Sequence, residues 1–381
     1  MSKKKEKPLT RSDVLKMIKK HGGPEGLDLS GRNLEGIDLS PGWVCANGMG
    51  FIPPGKPPID LHGIILEWAN LKGAHLDYAN LQGARLAEAY MQGASLFSAK
   101  LQDAILFKAR LQQSFLSDAN LCGSSLMSAE LQGAVLWSTD LQGAILEYAD
   151  LQGAQLKDAN LRDTNLMYAT LHLAYLDGIS IDSNTRLQNV DWGPDYIVGE
   201  EKEACFKAAE SIYRSLKQWH TEAGMYELAG KFFFREMEVR RKAICSPPPP
   251  KALPEAPSTT KTRYQWGKTL YQLQSIIYSK RVGTWLWLTI IKGLCGYGER
   301  PLNIVISAFI IVLVMAGIYT ASALSFLQAL YFSAISFTAL GYGAWVSAPD
   351  RWVKALGAAE AFIGVFMMAL FLITFVRKMT R

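Results

Sequence analysis

The sequence predicts a mixed architecture in three parts: a solenoid of short coils, a helical hairpin, and a helical domain that crosses a membrane twice. Leucine recurs every five residues from Leu61 to Leu176, apolar spacing turns helical between Glu200 and Ile244, and residues 301–349 contain no Asp, Glu, Lys, Arg or His. The chain has 381 residues and a formal net charge of +6, enough for several domains.

Residues 1–26 are read as a capping segment. Arg11 to Gly22 suits a short helix, with Ser12 as N-cap and Gly22 as stop. The start, MSKKKEKPLT, lacks the apolar core of a signal peptide, so the residues ahead of the first span are expected to stay inside the cell.

Counting in fives from Leu61 to Leu176 gives 24 positions, all Leu except Met91, and Ala usually stands two residues before each. A period of five fits no regular element. On an α-helix each step turns about 140° and scatters the leucines, and on a strand successive ones alternate faces. A coil with one side per five residues points every Leu inward, fits each Ala into the corner beside it, and leaves Asn, Asp, Gln and Gly to water. Such regularity marks an internal repeat.

Units such as ANLQGARL, ADLQGAQL and ANLRDTNL resemble the pentapeptide-repeat family over about residues 27–181. The resemblance implies a right-handed quadrilateral parallel β-helix, here assigned to residues 27–199. Twenty residues per coil gives about six coils for the uninterrupted run, or about 29 Å at about 4.8 Å per rung. Leu29, Leu34 and Leu39 form an earlier coil, separated from the run by an insertion at residues 40–58. From Asp60 to Ser180 there are 13 acidic and 7 basic residues, a local balance of −6. Some members of the family imitate DNA with such a surface, which makes an inhibitor of a nucleic-acid enzyme the rival reading of this half. The membrane segments speak against it, and no nucleic acid is expected as partner.

Residues 200–245 are read as an antiparallel helix pair, EKEACFKAAESIYRSLKQWHTEA and MYELAGKFFFREMEVRRKA, parted at Gly224. Their aromatics Phe206, Tyr213, Phe233 and Phe234 suit packing. SPPPPKALPEAPSTT within residues 246–262 reads as a stiff extended linker. In residues 263–300 the stretch TWLWLTIIKGLC is too short to span, and its Trp285, Trp287 and Lys292 suit a helix lying at the membrane interface.

Residues 301–381 form the membrane domain. Ile304 to Ala323 is an uncharged run long enough to cross about 30 Å of hydrocarbon, and Ala355 to Val376 crosses back with one charge, Glu360. Between them lies SFLQALYFSAISF, a helix of three to four turns, followed by TALGYGAW. Irregular backbone at membrane depth is tolerated only where protein or a water-filled path surrounds it. Gly341 and Gly343 around Tyr342 permit dihedrals that turn successive carbonyls to one side, where they replace the hydration shell of a cation.

ALYFSAISFTALGYG, placed between two spans, resembles the pore helix and selectivity filter of two-helix bacterial potassium channels. The resemblance covers about the last 80 residues, with the outer helix at 302–323 and the inner helix at 353–376. It implies a filter from Thr338, Ala339, Leu340, Gly341, Tyr342 and Gly343, K⁺ as the permeant ion, and four chains around the pore. The family filter reads Thr-Val-Gly-Tyr-Gly-Asp. Here Ala339 stands for the threonine, Leu340 for the valine and Ala344 for the aspartate, so one oxygen layer and the outer acidic ring are absent.

Gly364 matches the family's hinge glycine in the inner helix, and close helix packing is the alternative reading. Met368 and Leu372 follow on one face as candidates for the cavity wall, with Phe375 or Val376 nearer a gate. Glu360, the lone ionisable group inside a span, is expensive there unless paired, hydrated or neutral. It is expected to support the filter by bonding to Tyr342, Thr338 or Ser336; the alternative places it near the outer surface.

Lys280, Arg281, Lys292 and Arg300 precede the first span and Arg377, Lys378 and Arg381 follow the second, against Arg351 and Lys354 between them. Both termini are therefore expected on the cytoplasmic side of the cell membrane. The five cysteines have no metal-ligand or CxxC spacing, and no nucleophile constellation, phosphate loop or paired carboxylates occur, so an enzyme is not expected. No arginine-rich voltage-sensing helix is present in this sequence, and with five residues after Val376 a carboxy-terminal ligand-binding ring is not expected. Regulation is expected from the solenoid side, through self-assembly or an unidentified cytoplasmic protein partner. The alternative is a membrane-tethered scaffold with a degenerate pore.

Overall fold

The computed structural model describes residues 7–40, 58–245, 283–294, 296–322, 324–338 and 351–379. The chain divides into two compact units, Met1–Ala223 and Gly224–Arg381.

In the first unit, backbone pairing repeats every twenty residues, as in Asp60↔Asn80, Ile65↔Arg85, Asn70↔Tyr90 and His75↔Ser95. Four columns of parallel bridges run along the coils. Every Leu of the five-residue series from Leu61 to Leu176, with Met91, is at most 2 % exposed, so the five-residue period is the period of inward-pointing side chains. Where Ser or Thr replaces the corner Ala, its hydroxyl is buried and donates to a core carbonyl: Ser114 to Leu111 at 2.7 Å, Ser124 to Leu121 at 2.7 Å, Thr139 to Leu116 at 2.8 Å. A buried hydroxyl without such a partner would be destabilising. Among the described residues pairing takes the form of isolated parallel bridges rather than continuous strands, because a corner interrupts the chain every five residues.

Each corner needs a left-handed residue so that its N–H reaches the next coil. Gly73 and Gly83 supply it without a Cβ clash, at φ +61° and +65°. Trp68 takes φ +55° at a cost of about 1 kcal/mol, and its N–H reaches the Ala87 carbonyl at 3.0 Å. The earlier coil pairs through Asp28↔Ile65, Asn33↔Asn70 and Asp38↔His75, with residues 41–57 of the insertion outside the described residues. A one-residue slip enters late, where Asn165 pairs with Arg186 and Thr170 with Asp191.

Helix α1 (Arg11–His21) lies against the first coil, with Val14 buried and the Leu9 N–H donating to the Asn33 carbonyl at 2.8 Å. Its N-cap is Thr10, not Ser12. The Thr10 hydroxyl accepts from the Asp13 N–H while the Asp13 carboxylate accepts from the Thr10 N–H, which satisfies two donors at once.

The other end is closed by α2 (Gly199–Lys202) and α3 (Phe206–Glu222). The segment expected as one helix is broken at 203–205, where Ala204 takes φ +61°. The break lets α2 turn Glu200 onto the last coil, where its carboxylate accepts from the N–H groups of Leu176 and Asp177, the latter at 2.8 Å. Burial pushes the Glu200 carboxyl up. The Trp219 indole donates to the Asp182 carbonyl at 2.9 Å, and His220 is buried edge-on to Trp192 and Trp219. Burial holds His220 below the usual imidazole range.

The second unit contains α4 (Tyr226–Cys245), α5 (residues 283–294), a short turn at Gly296–Gly298, α6 (Pro301–Tyr319), α7 (Phe326–Phe337) and α8 (Arg351–Met379). Of the two helices read between residues 200 and 245, α3 belongs to the first unit and α4 to the second. Glu238 of α4 accepts from Arg241 at 2.6 Å and pairs with Lys292 of α5. Burial pushes the Glu238 carboxyl up, but its bonds to Lys292 and Arg241 outweigh that and hold it below the usual range. Phe234 meets the Tyr297 ring at 5.5 Å and the Arg300 guanidinium at 5.0 Å, so α4 packs on the turn that enters α6. The proline-rich linker lies outside the described residues.

Candidate pore site

Pro301–Tyr319 and Ala355–Val376 are long and apolar enough to cross a membrane, and Phe326–Phe337 is a shorter apolar helix between them. Pro301 occupies the first turn of α6, where its missing N–H costs nothing. Ser325 caps α7 in a capping box with Gln328, which fixes where the pore helix begins. Ala316 and Tyr319 of α6, Ala329 and Phe332 of α7 and Val353 of α8 share one cluster; Ile304, Phe337 and Met367 share another. The short helix is therefore held by both long ones at two levels.

The buried residues of α8 follow one stripe: Val353, Gly357, Glu360, Gly364, Met367 and Thr374. Spacings of three and four keep one face of a helix turned to its neighbours. Glu360 is 1 % exposed on that face, and the expectation of its partners is corrected. It accepts from the Tyr319 hydroxyl of α6 at 2.8 Å and from the Ser333 hydroxyl of α7. Ser333 also lies 3.0 Å from the Val312 carbonyl. Of the partners expected, the Thr338 hydroxyl donates instead to the Ala334 carbonyl at 2.8 Å and Ser336 is buried elsewhere in α7, while Tyr342 lies outside the described residues. The reading of Glu360 at a watery outer surface is excluded by its burial.

Gly364 lies against the end of the pore helix. A Cβ there would stand 1.6 Å from the Phe337 carbonyl oxygen and 2.6 Å from its carbon. Close packing accounts for this glycine, and α8 runs unbroken through it. Met368, Leu372 and Phe375 are exposed in the protomer, at 49, 59 and 43 %. They lie off the packed stripe of α8. Of the filter residues, Thr338 caps α7; Ala339, Leu340, Gly341, Tyr342 and Gly343 lie outside the described residues. Sequence reading did not single out Tyr319 or Ser333, although a hydroxyl inside an apolar span must find an acceptor, and that rule marks both. Among the described residues no group of three or more His, Cys, Asp or Glu is placed to hold a metal ion.

Comparisons with known proteins agree with this division. Residues 301–381 match the family described as ion channel, and pentapeptide repeats match in eight copies across residues 64–103, 104–143, 125–163 and 144–180. Nothing among curated proteins matches. The chain is similar to HetL, a pentapeptide-repeat protein from Nostoc sp. strain PCC 7120, at 22 % identity over 48 % of this chain and 94 % of that one, with a TM-score of 0.19. It is similar to QnrB1, a plasmid-mediated fluoroquinolone resistance protein, at 18 % identity over 44 % and 78 % of the two chains, with a TM-score of 0.27. A pentapeptide-repeat protein of the Arabidopsis thaliana thylakoid lumen is 26 % identical over 34 % and 70 %, with a TM-score of 0.19. Neither matched family is an enzyme family. Residues 64–180 are therefore pentapeptide repeats and residues 301–381 an ion-channel domain, and the chain is a membrane protein that joins the two.

Proposed function

We propose that the protein is a homotetrameric cation channel selective for K⁺, conducting passively through a filter of backbone carbonyls at residues 338–343. The observation that carries this reading is the packing of α6, α7 and α8, with the pore helix ending at Phe337 directly before Thr338-Ala339-Leu340-Gly341-Tyr342-Gly343 in the sequence. The carbonyls survive the side-chain changes at Ala339 and Leu340, so K⁺ keeps its ligands there, with one hydroxyl layer fewer. A ring needs several chains because each brings one loop.

The excess of Lys and Arg outside the two spans supports cytoplasmic termini, and the reading assigns the protein to the plasma membrane. The repeats form a right-handed quadrilateral β-helix on the cytoplasmic side, which acts in assembly, regulation or the binding of a cytoplasmic protein. Within the second unit, α4 contacts Lys292, Tyr297 and Arg300 just ahead of the outer helix. Ala339 and Ala344 favour one second reading, a tethered scaffold whose pore no longer conducts.

Purified full-length protein in liposomes under a potassium gradient separates the two. The channel reading expects cation flux from a tetramer. A tetramer without flux supports the scaffold, and flux that follows chloride contradicts both.

A further inference from the structure

The two contacts between α7 and α8 share one register. Ser333 and Phe337 are four residues apart on the pore helix, and Glu360 and Gly364 are four apart on the inner helix. Each pair spans about one turn, so the contacts form two rungs about 6 Å apart. The first is polar and reaches a third helix: Glu360 accepts from Tyr319 at 2.8 Å and from Ser333, and Ser333 lies 3.0 Å from the Val312 carbonyl of the outer helix. The second is backbone against glycine, at the last residue of α7.

We propose that Tyr319, Ser333, Glu360 and Gly364 form a two-rung latch that fixes the pore helix to both spanning helices, with Tyr319 a positioning residue for the filter. The proposal rests on reading residues 338–343 as an ion filter. Phe337 stands two residues before Ala339, so a displacement at the second rung passes straight into the innermost filter carbonyls. The first rung prevents that displacement. Among the described residues the hydrogen bonds of Glu360 are those to Tyr319 and Ser333, and an unpartnered polar group in this environment is costly, so losing either hydroxyl favours a shift of α7. Tyr319 adds what a contact between α7 and α8 alone would not: the outer helix sets the carboxyl's position, so a pull on α6 reaches the filter through side chains rather than through the loop between them.

The test uses full-length protein in lipid nanodiscs, with hydrogen–deuterium exchange followed over residues 326–338. Tyr319→Phe and Ser333→Ala are expected to speed exchange in the pore helix by about tenfold. Glu360→Gln keeps an acceptor for Tyr319 and a group that can bond to Ser333, so it should stay near wild type, whereas Glu360→Leu should exchange fastest. In liposomes the K⁺/Na⁺ permeability ratio is expected to fall in the same order. Unchanged exchange in Tyr319→Phe and Ser333→Ala, or Glu360→Gln as damaging as Glu360→Leu, overturns the latch. Faster exchange with an unaltered permeability ratio overturns the positioning role. If Glu360→Leu fails to assemble, Tyr319→Phe, which removes one oxygen, decides. If wild type passes no cation while exchange responds as expected, the latch stands and the channel reading alone fails.

Discussion

An alanine at position 364 would put its Cβ 1.6 Å from the Phe337 carbonyl oxygen, so the helices must separate or the pore helix must move. Overpacking of this kind costs about 1–3 kcal/mol. Gly364→Ala is expected to lower the thermal midpoint of the reconstituted protein; a pure hinge predicts an unchanged midpoint with altered opening. At the closed end of the solenoid, Glu200 tests a different balance. Its folded pKa is raised by burial, so the folded state holds the proton more tightly than the unfolded chain. The contribution to stability is therefore greatest below the unfolded carboxylate range and falls as pH rises through the raised folded value. Glu200→Gln keeps the acceptor without the charge. Its melting point relative to wild type should climb between pH 4 and pH 8, and a pH-independent difference would contradict the burial argument. Glu200→Ala leaves the Leu176 and Asp177 N–H groups without their acceptor and is expected to cost about 1–3 kcal/mol in a denaturation series.

At the scale of elements, the solenoid's register makes a sharp prediction. The main run pairs at an offset of twenty, so deleting residues 101–120 removes one whole coil and leaves each remaining side above its own column. That deletion should preserve a cooperative melt and resistance to limited proteolysis. Deleting residues 101–103 breaks the five-residue period, takes the leucines that follow out of their inward positions and should lose both. The coils were legible because one physical constraint, a buried leucine per side, repeats in the sequence; the bridge columns follow from the same count. The spans were legible from length and apolarity alone. The caps were less so. Ser12 and Thr10 are both good N-caps by type, and only the reciprocal bonds with Asp13 decide between them. The break at 203–205 was hidden because helical periodicity continues across it, while the gain that causes it, Glu200 meeting the end of the last coil, is tertiary. In the pore, Glu360 was marked by its isolation in an apolar helix. Its partners were not, since their pairing depends on how three helices pack.

For the whole molecule, the acidic repeats and the membrane domain pose one question, whether the solenoid acts on the pore. Glu238 joins Arg241 and Lys292 just ahead of the outer helix, and Phe234 holds the turn that enters it. Glu238→Ala leaves two cations facing each other and is expected to change open probability without changing ion preference, as read from single-channel records. An effect on ion preference would place this cluster in the filter's support instead. The central claim is that main-chain oxygens of several copies strip and pass potassium. Its most direct test is the reversal potential of the reconstituted protein in a planar bilayer, with a tenfold K⁺ gradient opposed by Na⁺. A carbonyl filter predicts reversal close to the potassium equilibrium value, about 59 mV from zero. Reversal at zero, reversal at the chloride potential, or the absence of current from assembled tetramers would contradict it.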